Sequence, residues 1–316
     1  MKANSENQTI LRAAAVQSSP IAFDRQKTIE KVAKLTASAA AKGAKLVVFP
    51  ESFIPGYPSG GFVMPIGTRT QEQRSLYAQL LDQAITIPGE NISQLGKIAE
   101  ANSVFLVIGI AERIHRSLYC SAVYFSPEGL YLGKHQKLKP TGAERNIWAD
   151  GDSSTLTTFP SPWGNIGGLI CNENYMPLAR TAMYAQDISI YTAVTLDDRE
   201  VWPSLIRTIA VEGRCFVISA CQYASRSDYP KEYDNFRGDN PDTVFNRGGS
   251  MIVDPLGKVL AEPVYDKDAI VIADLDLTMI QKASLDFDAV GHYSRPDALQ
   301  LTVNRKPAQS VIFTEN

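Results

Sequence analysis

Three kinds of side chain in this sequence sit where their surroundings could make them reactive. The first is a thiol. Cys171 ends the apolar run Asn165–Ile170 and is followed by Asn172, Glu173, Asn174, Tyr175, Met176 and Pro177. A residue at the end of a strand, on a tight turn before a helix, projects into a cleft. Backbone N–H groups on such a turn can also stabilise an oxyanion. In the opposite reading Cys171 is a small hydrophobe closing a strand, and the usual burial of free cysteine favours that reading when the turn is taken alone. The second is a carboxylate, Glu51, directly after the apolar stretch Val47–Pro50. Partial desolvation there would raise its pKa and suit it to general-base work, but an acid at that place can equally cap a turn. The third is an amine. Lys134, Lys137 and Lys139 crowd one loop, with Glu144 just beyond. One buried lysine could stabilise developing negative charge; an ordinary solvated basic loop explains the same pattern.

Other chemistries lack their signatures. The chain has no GxGxxG, no GxxxxGK[ST], no GxSxG and no HExxH. Its only histidines are His115, His135 and His292, none in a recognisable catalytic context, so a multi-histidine metal site is not expected. The four cysteines, Cys120, Cys171, Cys215 and Cys221, match no zinc spacing, and a chain this long needs no disulfide staple. Cys120, Cys215 and Cys221 lie in strand-like apolar segments and read as core. His292 reads as a structural hydrogen-bonding residue. A formal net charge of −3 points to neither nucleic acid nor an anionic membrane. The longest apolar stretch, Val104–Ala111, is far short of the roughly 20 residues that span a bilayer. The polar start lacks the apolar core of a signal peptide. A soluble, cytoplasmic protein with free thiols is the expectation.

The elements that would position these side chains alternate. Strands are expected at Ala13–Gln17, Lys45–Pro50, Val104–Ala111, Ala122–Phe125, Leu130–Gly133, Asn165–Ile170, Ile188–Tyr191, Phe216–Ala220, Ser250–Val253, Lys258–Ala261 and Ala269–Ala273. Helices are expected at Asp24–Lys42, Gln71–Ile85, Ile92–Asn102, Pro177–Gln186 and Trp202–Gly213. This alternation is α/β, and the hairpins among the strands make the sheets mixed. No linker divides the 316 residues, so one continuous domain is expected, with a core from about 12 to 304 and frayed ends.

Together the pieces are more specific than any one of them. A Glu after an early strand, a Lys in Lys137–Thr141 and a Cys in Ile170–Asn174 form an ordered set. With Phe49–Ile54, Gly56–Pro58, Glu144–Arg145, Ile147–Trp148, Glu173–Arg180, Glu212–Val217 and Gly291–Pro296, this set resembles the nitrilase branch of the carbon–nitrogen hydrolase family, from about Arg12 to about Asn304. The segment Gly291–Asp297 is similar to nitrilases rather than to their amidase relatives. The resemblance implies a four-layer α-β-β-α sandwich with two mixed sheets, and homodimers that can join into larger spirals. It implies Cys171 as nucleophile, Glu51 as general base, Lys137 as stabiliser of negative charge and Glu144 as the residue that orients substrate and catalytic groups. The backbone N–H of Asn172 would supplement Lys137, and Tyr57, Trp148 and Thr195 would line the substrate pocket. The implied reaction is hydrolysis of a small-molecule nitrile to acid and ammonia through a covalent intermediate on Cys171, with no metal or other cofactor.

Some positions depart from the family pattern. Asn172 stands where Trp or Gly is common, Gln136 where Arg is frequent, Ala149–Gly151 in place of Gly-x-Gly, and Val194 in place of a frequent Pro. None removes a catalytic group, but all bear on substrate size and on the ratio of acid to amide product. An amidase or carbamoyl-hydrolase using the same three groups, and an inactive scaffold that kept the fold, are the rival readings.

Overall fold

The computed structural model describes residues 9–59, 69–233, 237–312 and 314. The expectation of a frayed start falls on residues 1–8, outside the described residues. Strands are β1 (Ile10–Gln17), β2 (Leu46–Val48), β3 (Phe105–Ile114), β4 (Ser117–Phe125), β5 (Tyr131–Gln136), β6 (Phe159–Ser161), β7 (Gly164–Gly167), β8 (Ile188–Thr195), β9 (Phe216–Cys221), β10 (Tyr223–Ser225), β11 (Val244–Val253), β12 (Val259–Tyr265) and β13 (Ala269–Asp276). Helices are α1 (Arg25–Ala41), α2 (Gln71–Gln83), α3 (Glu90–Asn102), α4 (Pro177–Tyr184), α5 (Trp202–Gly213) and α6 (Thr278–Ala283).

Alternation along the strands sorts their side chains into layers. In β1, Ala13 and Ala15 face one apolar cluster while Ala14 and Val16 face another. Leu46 and Val48 of β2 side with the first cluster, and Val47 with the second. In β9, Phe216, Ile218 and Ala220 enter the first cluster from the opposite side, while Val217 faces a third. The first cluster therefore lies between two sheets. The second is closed by Ile29 and Val32 of α1 and by Ile92 and Leu95 of α3. The third is closed by Met183 of α4 and by Ile206 and Ile209 of α5. Because side chains repeat every two residues along a strand, a sheet with apolar residues at every position must be covered on both faces. The result is helix, sheet, sheet, helix.

One sheet runs β13-β1-β2-β3-β4-β5, and the other β10-β11-β9-β8-β7-β6 with β12 on β11. β1, β2 and β3 are parallel, whereas β3, β4 and β5 form antiparallel hairpins. In the second sheet β7, β8 and β9 are parallel and β11 is antiparallel to β9. Both sheets are mixed, as expected. The observed β8 and β11 run beyond their expected limits, to Thr195 and back to Val244, because polar residues within them pair as well as apolar ones. Short elements without a repeating pattern, namely β6, β10 and α6, left no periodic signal. The described residues past Asn304 are exposed, yet Arg305 donates to the Leu156 carbonyl (3.1 Å) and the Ala308 N–H to Asp152 (2.7 Å).

Candidate active site

The parallel strand β2 ends at Val48 and the chain turns, placing Glu51 at the sheet's end. The turn is tied to β3 by Phe49 N–H to the Val107 carbonyl (2.8 Å) and Gly109 N–H to the Pro50 carbonyl (3.1 Å). Gly109 makes this closeness possible. A Cβ there would lie 2.3 Å from the Pro50 oxygen, 2.5 Å from the Ser52 nitrogen and 2.6 Å from Glu51 Cα. The residue after Glu51, Ser52, takes φ 46°, in the left-handed region. Lys137 follows β5, and its N–H bonds the Cys120 carbonyl of β4 (2.8 Å). Glu144 lies on a single helical turn, Gly142–Asn146, just beyond. Cys171 opens another such turn, Cys171–Tyr175, with φ 52°. A non-glycine residue held left-handed stores strain of order 1–3 kcal/mol and is commonest at functional sites.

These separate segments converge. The Lys137 ammonium donates to Glu51 Oε1 and to Glu144 Oε2, both at 2.7 Å. Glu51 and Lys137 are fully buried, and Cys171 and Glu144 nearly so. The Cys171 thiol acts electrostatically on the Glu51 carboxylate, and Glu51 Oε2 has no hydrogen-bond partner among the described residues. The structure thus brings together the four residues whose chemistry the sequence singled out, while Lys134 and Lys139 point away to Glu112 and Asp150.

A ring of further side chains fixes this cluster. The Tyr57 hydroxyl donates to Glu144 Oε1 (2.8 Å), and the Thr141 N–H to Glu144 Oε2 (2.8 Å). Tyr229 donates its hydroxyl to the Tyr57 carbonyl (2.7 Å). The Thr195 side chain interacts with the Cys171 sulfur and accepts the Asp197 N–H (2.8 Å). Trp148 is buried in the same inter-sheet cluster as Cys171, its indole N–H unpartnered among the described residues. Asn172 is half-buried, and its place at the start of a helical turn leaves its N–H without an intrahelical acceptor. Two contributors carried no local signal. The Cys120 thiol donates to Glu51 Oε1 (3.4 Å), and Gln222 Nε2 donates to the Glu51 carbonyl (2.7 Å). Cys120, Cys215 and Cys221 are buried, as read, but Cys120 also reaches the site. His292, read as a structural hydrogen-bonding residue, is instead exposed, its ring set edge-on to Tyr293.

Electrostatics follow from burial. Desolvation raises the Glu51 pKa, against the pull of Lys137. Desolvation also pushes the Cys171 thiol up to about 12, with Glu51 adding to the rise and Lys137 opposing it. Burial works against the Lys137 ammonium, yet Glu51 and then the nearby thiols and Glu144 hold its pKa well above the ordinary range. At rest the site therefore holds a neutral thiol beside a carboxylate that can take its proton, with a fixed cation opposite. Among the described residues no group of three or more His, Cys, Asp or Glu could hold a metal ion.

A Cys, two Glu and a Lys thus meet in the interior of an α-β-β-α sandwich. The solved structures agree at the level of fold. A carbon–nitrogen hydrolase from Helicobacter pylori G27 matches with TM-score 0.72 at 21% identity, covering 92% of this chain and 97% of that one. The Caenorhabditis elegans NitFhit protein also matches with TM-score 0.72, at 18% identity, covering 95% of this chain and 69% of that one. The family model for carbon-nitrogen hydrolases matches residues 12–284. An aliphatic nitrilase of Sinorhizobium fredii is 51% identical, covering 96% of this chain and 99% of the relative. Nitrilase 2 of Arabidopsis thaliana is 46% identical over 96% and 92%. A bifunctional nitrilase/nitrile hydratase of Lupinus angustifolius is 48% identical over 98% and 90%. This chain belongs to the carbon–nitrogen hydrolase family, on its nitrilase branch.

Proposed function

We propose that the protein hydrolyses an organic nitrile to the carboxylic acid and ammonia, with Cys171 as nucleophile. The observation that carries the reading is the buried Lys137 bridge between Glu51 and Glu144, with the Cys171 thiol close enough to act on the Glu51 carboxylate. The near-full-length identity to named nitrilases supports the nitrile as substrate.

The chemistry follows from the resting protonation. A thiol pushed up to about 12 is not ionised at neutral pH, so attack needs a base in contact. Glu51 Oε2 takes the thiol proton as sulfur bonds to the nitrile carbon. Negative charge then builds on the nitrile nitrogen, and the Lys137 ammonium neutralises it in a dry pocket, where a fixed charge is worth several kcal/mol. The Asn172 N–H adds a second donor. The proton held by Glu51 passes to nitrogen and gives a thioimidate. Glu51 next activates water, the tetrahedral adduct expels ammonia, and a thioester remains. A second water, activated the same way, releases the acid and restores the thiol. Glu144 holds Lys137 in line, and Tyr57 holds Glu144. In this reading Thr195, whose side chain acts on the Cys171 sulfur, and Trp148 line the substrate pocket. Expulsion of the thiol from the first tetrahedral adduct would instead release the amide. No step calls for a metal or an organic cofactor.

The same reading takes the chain as a single catalytic domain that works as a homodimer able to join into larger spirals, and that resides in the cytoplasm. Four buried free thiols suit a reducing compartment. Among the described residues no helix is long and apolar enough to cross a membrane. The test is ammonia release by the purified protein from a panel of nitriles, with the matching amides alongside. Acid and ammonia from nitriles with amides inert is the expected result; turnover of amides alone would refute the substrate assignment and leave an amidase using the same residues.

A further inference from the structure

The cysteine turn and the lysine loop come from different sheets, and one buried side chain joins them. Glu173, 1% exposed, lies two residues after Cys171. Its Oε2 accepts the Ile170 N–H at 2.8 Å, from the residue just before Cys171. Its Oε1 accepts the Leu138 N–H at 2.5 Å, from the residue just after Lys137. His135, also 1% exposed, approaches both oxygens through Nε2, at 3.3 and 3.0 Å. The other ring nitrogen, Nδ1, faces the Thr155 carbonyl at 3.2 Å. A carbonyl only accepts, so Nδ1 carries a hydrogen. Nε2 faces carboxylate oxygens, so a proton must also lie between it and Glu173. The Leu138 and Ile170 N–H groups are both donors, one to each oxygen, and only a group with two acceptor oxygens satisfies both.

We infer that Glu173 is a positioning residue, whose two carboxylate oxygens hold the Cys171 turn and the Lys137 loop at the separation that the attack on substrate requires, with His135 anchoring it from behind. Glu173 itself touches none of the reacting atoms proposed above. The inference rests on the reading of Cys171 as nucleophile and Lys137 as charge stabiliser. It explains why a carboxylate is buried between the two sheets, where an unpaired charge would be costly. It also distinguishes Glu173 from the many buried residues that only fill space. Gln has the same shape but one acceptor oxygen, so one of the two backbone N–H groups would face an amide N–H, and the turn and the loop would part.

The test compares Glu173→Gln, Glu173→Asp and His135→Gln with the wild-type enzyme, using kcat and KM for a turned-over nitrile and the iodoacetamide labelling rate of Cys171, read by peptide mass spectrometry. Misplacement by about 1 Å is enough to cost about 100-fold in rate. Glu173→Gln is expected to lose about that much kcat with little change in KM, and to label Cys171 at least tenfold more slowly. Glu173→Asp, which keeps the charge and both acceptors, is expected to recover part of the kcat. His135→Gln leaves both backbone bonds and is expected to lose less, and it carries the test if Glu173→Gln does not fold. A folded Glu173→Gln variant with kcat within threefold of wild type, or with kcat lost but Cys171 labelling unchanged, would overturn the inference; so would a fully active His135→Gln variant if the Glu173 variants are insoluble. If wild-type Cys171 does not label, or Cys171→Ala retains turnover, it is the nucleophile reading that fails.

Discussion

Gly109 contacts no substrate in the proposed mechanism, yet its replacement by alanine should nearly abolish turnover. The added Cβ would sit 2.3 Å from the Pro50 oxygen and 2.6 Å from Glu51 Cα. Ordinary approaches are about 3.3 Å for carbon to oxygen and about 3.5 Å or more between carbons. The shortfall is therefore about 1 Å, and both neighbours are backbone, so no rotamer change relieves it. β3 is held between β2 and β4, so the Glu51 turn must give way. A displacement of about 1 Å in the general base costs about 100-fold in rate, whereas overpacking alone costs about 1–3 kcal/mol of stability. Gly96→Ala supplies the control. Its Cβ would meet the Gly129 oxygen at the same 2.3 Å, but on α3, outside the site. The assay is kcat on a turned-over nitrile together with the thermal midpoint of both variants. Both should be destabilised, and only Gly109→Ala should lose kcat. A Gly109→Ala enzyme within threefold of wild-type kcat, or equal losses in the two variants, would refute the reasoning.

Lys137→Met should lower kcat by about 10²–10³-fold, because it removes the charge opposite the developing anion and leaves Glu51 and Glu144 facing each other unbridged; a loss under tenfold in steady-state kinetics would show that the cation is not used. The acid limb of kcat/KM should fall at a pH above the ordinary glutamate value of 4.5, because burial raises Glu51 and the base must be ionised to act; a limb at or below 4.5 would contradict that assignment. Lys137 is raised, so the stability that its charge contributes is intact below its ordinary value of 10.5 and lost only as pH climbs through the raised one. Denaturant titrations should therefore show no loss of stability from this group between neutrality and that pH, and an earlier loss that Lys137→Met abolishes would contradict it.

The sequence made Glu51 and Cys171 legible because both follow a short apolar stretch, and strand ends are where a sandwich opens. Val47 and Val48 before Glu51, and Leu169 and Ile170 before Cys171, mark such ends without any alignment. What joins the groups was less legible. Glu51 and Lys137 meet at 2.7 Å across a separation of 86 residues, and that meeting depends on the order β2-β3-β4-β5, which no single segment encodes. Cys120 read as core and is buried, but its bond to Glu51 depends on β4 lying opposite the Glu51 turn. Glu173 stood in the quoted motif without a role, and His135 in the lysine loop without one, because their partnership crosses from one sheet to the other. Gln222 follows an apolar strand much as Glu51 does, and nothing local distinguishes its bond to the Glu51 carbonyl.

The central claim is that Cys171 forms the covalent bond to substrate, and Cys171→Ala tests it most directly. Ammonia release by that variant, against wild type at equal concentration and with the fold checked by circular dichroism, should fall below a few per cent. Turnover above that level in a folded Cys171→Ala enzyme would contradict the account.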